Sequence, residues 1–241
     1  MHATVLDDAR LLDTWDRAAT LDRPWRELAV LAGALGQSLD DLARLSIGAR
    51  DRLLLGVRIG TFGSRLDCET TCPACGTRLE LSLDARELVV PPRDVAPTEL
   101  EVNDNEWTVR FRLPDSTDIA ACMGATATAD VLAERCLAVT SGDEPVAINA
   151  LPRRVRDRVT GRMAELDGQA DVVLDLKCAA CNHGWQAPFD PAAFLLREVD
   201  SYAARLTLEV HQLARAYGWS EDSILAMGPT RRRRYLSLVL Q

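Results

Sequence analysis

The sequence predicts an α+β fold: helical N- and C-terminal segments around a split β unit, with a mixed α/β insertion between its halves. Three observations carry this. Two Cys-x-x-Cys motifs, Cys72-Pro-Ala-Cys75 and Cys178-Ala-Ala-Cys181, each lie among residues that alternate apolar and polar as half-buried strands do. The first ~65 residues place apolar side chains at helical spacing. The last fifty or so do the same. The predicted boundaries are a helical segment over 1–65, the split unit over 66–190 with its insertion at about 85–170, and a helical segment over 191–241.

Along the chain, "DRPWRELAVLAGALG" carries Trp25, Leu28, Leu31 and Leu35 at helical spacing, and Gly36 can end that helix. "SLDDLARLSIGARDRLLLGVRIG" opens with Ser38 as an N-cap and Asp41 three residues on, and reads as two short helices. "GTFGS" breaks the pattern before the first cysteine motif. "TRLELSLD" follows that motif as a strand; "ADVVLDLK" and "WQAPFD" flank the second. Between them, "ELEVNDNEWTVRFRL" reads as a β-hairpin turning at Asn103-Asp104-Asn105. "PDSTDIAACMG" starts a helix capped by Asp115 or Ser116, and "ATADVLAERCLAVT" continues the helical reading. "SGDEP" is a loop. "LPRRVRDRVTGRMAELDG" has Pro152 at a helix start and Gly168 at its end. In the C-terminal segment, Tyr202, Leu206, Val210, Leu213 and Tyr217 make one helical face that Gly218 stops. Ser220 caps a short helix in "WSEDSILAMG", and "PTRRRRYLSLVLQ" is a last one.

The composition suits a folded globular chain: 241 residues, 47% hydrophobic and 27% charged. No apolar run approaches the ~20 residues of a membrane span, and acids stand where a signal peptide would be basic. The expected location is the cytoplasm, so cysteines in close pairs point to metal or free thiols rather than disulfides. A net charge of -8 lacks the global basic field that attracts nucleic acid.

The two motifs lie 103 positions apart, counted from Cys75 to Cys178, against roughly 15–20 residues in ordinary zinc ribbons. Each has two residues between its cysteines and a turn-forming residue behind it, Gly76 or Asn182. Two hairpin arms ending in such turns make a split zinc ribbon, with one structural zinc per chain on Cys72, Cys75, Cys178 and Cys181. Cys68 and His183 are spare candidates; Cys68 reads as a bystander, and four thiolates already close the shell. Cys122 and Cys136 read as core. A redox-active pair is the rival reading, but such motifs sit at a strand-to-helix turn, whereas strands flank both pairs here.

A closed shell leaves no open position for catalysis. The deaminase pattern fails too: Pro73 follows Cys72 and no His-x-Glu occurs. No nucleophile elbow, phosphate loop or His-Glu-x-x-His motif is present, so no catalytic residue and no small-molecule substrate are predicted. His211 reads as a packed or surface histidine. Arg231, Arg232, Arg233 and Arg234, beside Tyr235 and downstream of Trp219, read either as a solvated face or as a partner or anion contact. The arginine-rich helix from Arg153 to Arg162 allows the same two readings.

The order of these parts, with the cysteine pairs and the tail "LEVHQLARAYGWSEDSILAMGPTRRRRYLSLV", resembles baseplate-associated proteins of contractile, T-even type phage tails and of related extracellular contractile injection systems. The resemblance implies a non-enzymatic baseplate component or assembly factor that binds other tail or baseplate proteins, without membrane or nucleic acid as partner. The competing class is a nucleic-acid-binding zinc-ribbon regulator, motivated by the arginine run. Trp219, Arg231 to Arg234 and Tyr235 are the expected partner contacts. The Tyr202–Tyr217 face either docks a partner or packs on the protein's own N-terminal helices.

Overall fold

The structure, a computed structural model, describes residues 5–94, 100–142 and 144–239. It is a mixed α+β fold with small antiparallel sheets. Four helices open the chain: α1 (Asp8–Ala19), α2 (Trp25–Leu35), α3 (Leu39–Ala43) and α4 (Ile47–Phe62). Their ends follow local chemistry. The Asp7 carboxylate accepts from the amide of Arg10, and the Ser38 hydroxyl accepts from that of Asp41, each satisfying an orphan donor. Gly36 ends α2 at φ 69°. Helix α4 runs through the expected break and stops at Gly63. The cap there is tertiary: the buried Arg58 guanidinium donates to the carbonyls of Gly63 and Arg65.

Two hairpins carry the cysteine motifs. Strands β1 (Arg65–Thr71) and β2 (Arg78–Asp84) form the first, with Cys68 opposite Leu81. The strand pair completing the described sheets, β7 (Val173–Lys177) and β8 (Gly184–Pro188), forms the second, with Leu174 opposite Ala187.

Between them, β3 (Glu101–Asp104), β4 (Trp107–Phe111), β5 (Leu137–Ser141) and β6 (Glu144–Pro145) make one sheet in that order, accompanied by α5 (Ser116–Cys122), α6 (Thr128–Cys136) and α7 (Arg153–Leu166). The β3–β4 turn falls at Asn105 and Glu106, later than the sequence suggests, with Asn105 at φ 56°. Asp115 is the α5 cap and forms a capping box with Asp118. "LAVTS" is not helix: α6 ends at Cys136 and residues 137–141 become β5, because β4 offers a full antiparallel partner and Val139 enters the core there. "SGDEP" supplies β6, although Asp143 lies outside the described residues.

The chain ends in α8 (Pro191–Tyr217), α9 (Glu221–Leu225) and α10 (Pro229–Val239). The last two residues of the expected final helix fall outside the described ones. Helix α8 packs its Leu195, Val199, Ala203 and Leu206 into one core with Leu28, Leu31 and Leu54 of α2 and α4. Its predicted face is thus taken by the protein's own helices at Leu206, while Leu213 is buried and Tyr217 is exposed. The Tyr202 hydroxyl donates to Asp8 at 2.6 Å, closing the contact with α1. A second core joins the four-stranded sheet to α7 through Val109, Val139, Val155 and Val159. Asp167 links the two parts: it accepts from the Ser46 hydroxyl at 3.0 Å and the Gly48 amide at 2.8 Å, at the start of α4. The hairpins have little core. Leu55, Leu66 and Ala85 form a small cluster at their root, and β2, β7 and β8 contain no buried residue.

A four-cysteine candidate metal centre

The two Cys-x-x-Cys turns repeat one backbone design. The Cys72 amide donates to the Thr77 carbonyl and the Gly76 amide to the Cys72 carbonyl, both at 2.9 Å. At the second turn, the Cys178 amide donates to the His183 carbonyl and the Asn182 amide to the Cys178 carbonyl, also at 2.9 Å. Gly76 and Asn182 hold equivalent positions with φ of 72° and 60°, the left-handed region that Gly and Asn tolerate best. In each turn the first cysteine is buried and the second exposed.

The turns face each other. The sulfurs of Cys72, Cys75, Cys178 and Cys181 all lie within 4.8 Å of one another. Cys72–Cys181 and Cys75–Cys178 are each 3.7 Å apart. Four sulfurs at about 2.3 Å from one ion sit about 3.8 Å apart at the corners of a tetrahedron. A disulfide would need about 2 Å; all seven cysteines are free thiols. The group can therefore hold a metal ion.

The Thr77 hydroxyl, 3.2 Å from Cys75 Sγ, and the Thr77 amide favour the Cys75 thiolate and lower that thiol to about 6. At Cys181 the His183 amide also favours the thiolate. Cys75, desolvation, Cys178 and Cys72 outweigh it and push the thiol up to about 12.

Cys68 stays outside the group, half-buried in β1, with its thiol raised by burial. The His183 ring stacks on Trp185 at 6.2 Å between centroids, and its carbonyl shapes the turn. Cys122 and Cys136 are buried in the middle region; burial first, then Asp118, pushes Cys136 up to about 11.

The expected partner contacts gather elsewhere, where α8 ends. Trp219 stacks on Tyr217 at 4.5 Å, and Tyr235 meets both edge-on at 4.9 and 5.7 Å. The arginine run divides. Arg231, Arg233 and Arg234 are exposed, whereas Arg232 is 2% exposed and pairs with Asp8 at 2.6 Å and Glu209 at 2.7 Å. Arg232 therefore fastens α10 to α1 and α8. Among the described residues no helix is long and apolar enough to cross a membrane.

Two arginines on α8 were invisible as a site in the sequence. Arg197 lies over the Phe194 ring at 5.6 Å, and Arg205 lies over the Tyr202 ring at 4.7 Å. The available signal was an aromatic three residues before each, at helical-neighbour spacing.

The model of the family described as "T4 bacteriophage base plate protein" matches residues 30–195. That stretch covers both cysteine motifs and everything between them, and the chain belongs to this family. No curated protein and no solved structure matches.

Proposed function

We propose that this T4-type baseplate family member is a non-enzymatic component or assembly factor of a contractile tail-like particle or injection system, carrying one structural zinc per chain. The family match over 30–195 is the observation that carries the reading. Its expected place is the host cytoplasm during assembly and then the particle. Four thiolates suit zinc, which needs no particular ligand field and closes a tetrahedral shell without redox chemistry. With no open position, the metal would serve as a clamp between hairpins that otherwise have almost no core. Cys72, Cys75, Cys178 and Cys181 would hold it, and the hydrogen bonds behind Gly76 and Asn182 would orient the thiolates.

The partners would be other baseplate or tail proteins. Trp219, Tyr235, Arg231, Arg233 and Arg234 form an aromatic and arginine surface, the composition that dominates protein–protein contacts. Arg232 would anchor the helix that presents them. The test is capture of the tagged full chain from its native host, with the eluate identified by mass spectrometry and assayed for nucleic acid. Baseplate or tail proteins are the expected result. Nucleic acid or transcription proteins in their place would overturn the reading.

A further inference from the structure

A cleft of about 780 Å³ runs between the two cysteine hairpins and helix α8. Its floor is the apolar face of the hairpins, including Cys68, Leu81, Leu174 and Ala187. Its wall is α8, from Ala193 to Arg205. The cross-strand pairs Cys68–Leu81 and Leu174–Ala187 place residues of both hairpins on that floor. The spacing of the floor is thus set by the cysteine cluster that joins the hairpins.

The charges in this cleft are unequal in one decisive respect. Every acid lining it has an arginine of its own. Asp67 pairs with Arg65 at 2.9 Å, Glu69 with Arg78, Asp190 with Arg23 at 3.0 Å and Glu198 with Arg58 at 2.8 Å. Arg197 and Arg205 also line the cleft, and among the described residues neither has a carboxylate partner. Cation–π contacts with Phe194 and Tyr202 hold the two guanidinium groups at the cleft; Arg197 Nε donates to the Ala193 carbonyl at 3.4 Å, and the remaining N–H groups can meet a carboxylate. The cleft therefore combines an apolar floor with two arginines that lack a carboxylate partner.

We infer that this cleft docks an extended, acidic segment of a neighbouring baseplate protein, with carboxylates at i and i+4 meeting Arg197 and Arg205. The register follows from geometry. The arginines are eight residues apart on α8, about 12 Å along the helix axis at 1.5 Å per residue and about 80° apart around it. In an extended chain rising about 3.3 Å per residue, side chains four apart span about 13 Å and point to the same side. The residues between them alternate, so apolar ones can face the floor. This inference rests on the baseplate reading above.

The test is photo-crosslinking in the native host, with p-benzoylphenylalanine in place of the exposed cleft residue Ser201. The captured peptide is sequenced by mass spectrometry. The expected product is a peptide of a baseplate protein with acidic residues at i and i+4. R197E/R205E should lower capture of that protein at least tenfold and R197K/R205K should lower it less, while the distant R153E leaves it within about twofold. Unchanged metal content and circular dichroism show that R197E/R205E has folded. If baseplate proteins are captured but Ser201 gives no crosslink, or R197E/R205E binds normally, the cleft assignment is overturned and the baseplate reading stands. A crosslink to nucleic acid, or to a segment without acids, overturns the cleft assignment as well. If no baseplate protein is captured by any form, the functional reading itself fails.

Discussion

The helical body and the paired cysteine hairpins solve the same problem by different means. In the body, Leu28, Val30, Leu31 and Leu54 are completely buried, and helices distant in sequence share one apolar core. In the hairpin strands, side chains alternate between half-buried and exposed; of the strand residues only Leu66 of β1 is fully enclosed, with Cys72 and Cys178 buried at the turns. An isolated two-stranded hairpin is marginal in water at best. Burial holds the first region; the second has four facing cysteines that could be joined through a metal ion. The cysteine turns are alike to the level of single hydrogen bonds although Cys75 and Cys178 lie 103 positions apart. The body can tolerate variation in packing, but a clamp needs four sulfurs at fixed positions.

The largest expected effect attacks the clamp alone. Cys178→Ser removes a buried ligand and should lower metal affinity by more than about 100-fold, beyond what loss of an outer-shell partner costs. Amide-exchange protection should collapse in β1, β2, β7 and β8 while α2 and α8 keep theirs. If the variant unfolded as a whole, the two regions would not be separable in the way proposed. The reciprocal change attacks the body. Leu28→Ala should cost about 3 kcal/mol of global stability, read by denaturant unfolding, with metal content unchanged.

A smaller effect tests how the middle region is fixed to the body. A Cβ at Gly48 would lie 2.2 Å from Asp167 Oδ1 and 2.9 Å from the Ala170 amide nitrogen. Gly48→Ala should therefore cost about 2 kcal/mol and expose the start of α4 to exchange, leaving the cysteine cluster loaded. The smallest effect concerns turn symmetry. Gly76→Asn copies the second turn, where Asn182 already adopts φ 60°, and should change stability by less than about 0.5 kcal/mol. Gly76→Val should cost about 1–2 kcal/mol, because a branched residue resists that conformation.

What was legible in the sequence follows the same division. The caps at Ser38, Gly36, Gly218 and Ser220 were readable, and that of α5 was narrowed to Asp115 or Ser116, because each depends on a side chain or a missing Cβ within a few residues. The cysteine group was readable because thiolate chemistry demands paired spacing. Strand β5 was not: Leu137–Ser141 follows a helix without a break, and only its partner β4 makes it a strand. The course of α4 past Gly60 depends on Arg58 reaching carbonyls beyond the helix end. Four consecutive arginines look equivalent, yet Arg232 alone turns inward to Asp8 at the other end of the chain. Likewise, the cleft arginines without a carboxylate partner emerge only when every neighbouring acid is found to be paired.

Metal would do for the hairpins what the core does for the body. The most direct measurement is metal content by mass spectrometry, coupled to amide exchange before and after a strong chelator. About one zinc per chain is expected. On chelation, protection should be lost across residues 65–84 and 173–188 and kept in α2, α4 and the first half of α8. Protein purified without any metal, or hairpins equally protected after its removal, would contradict it.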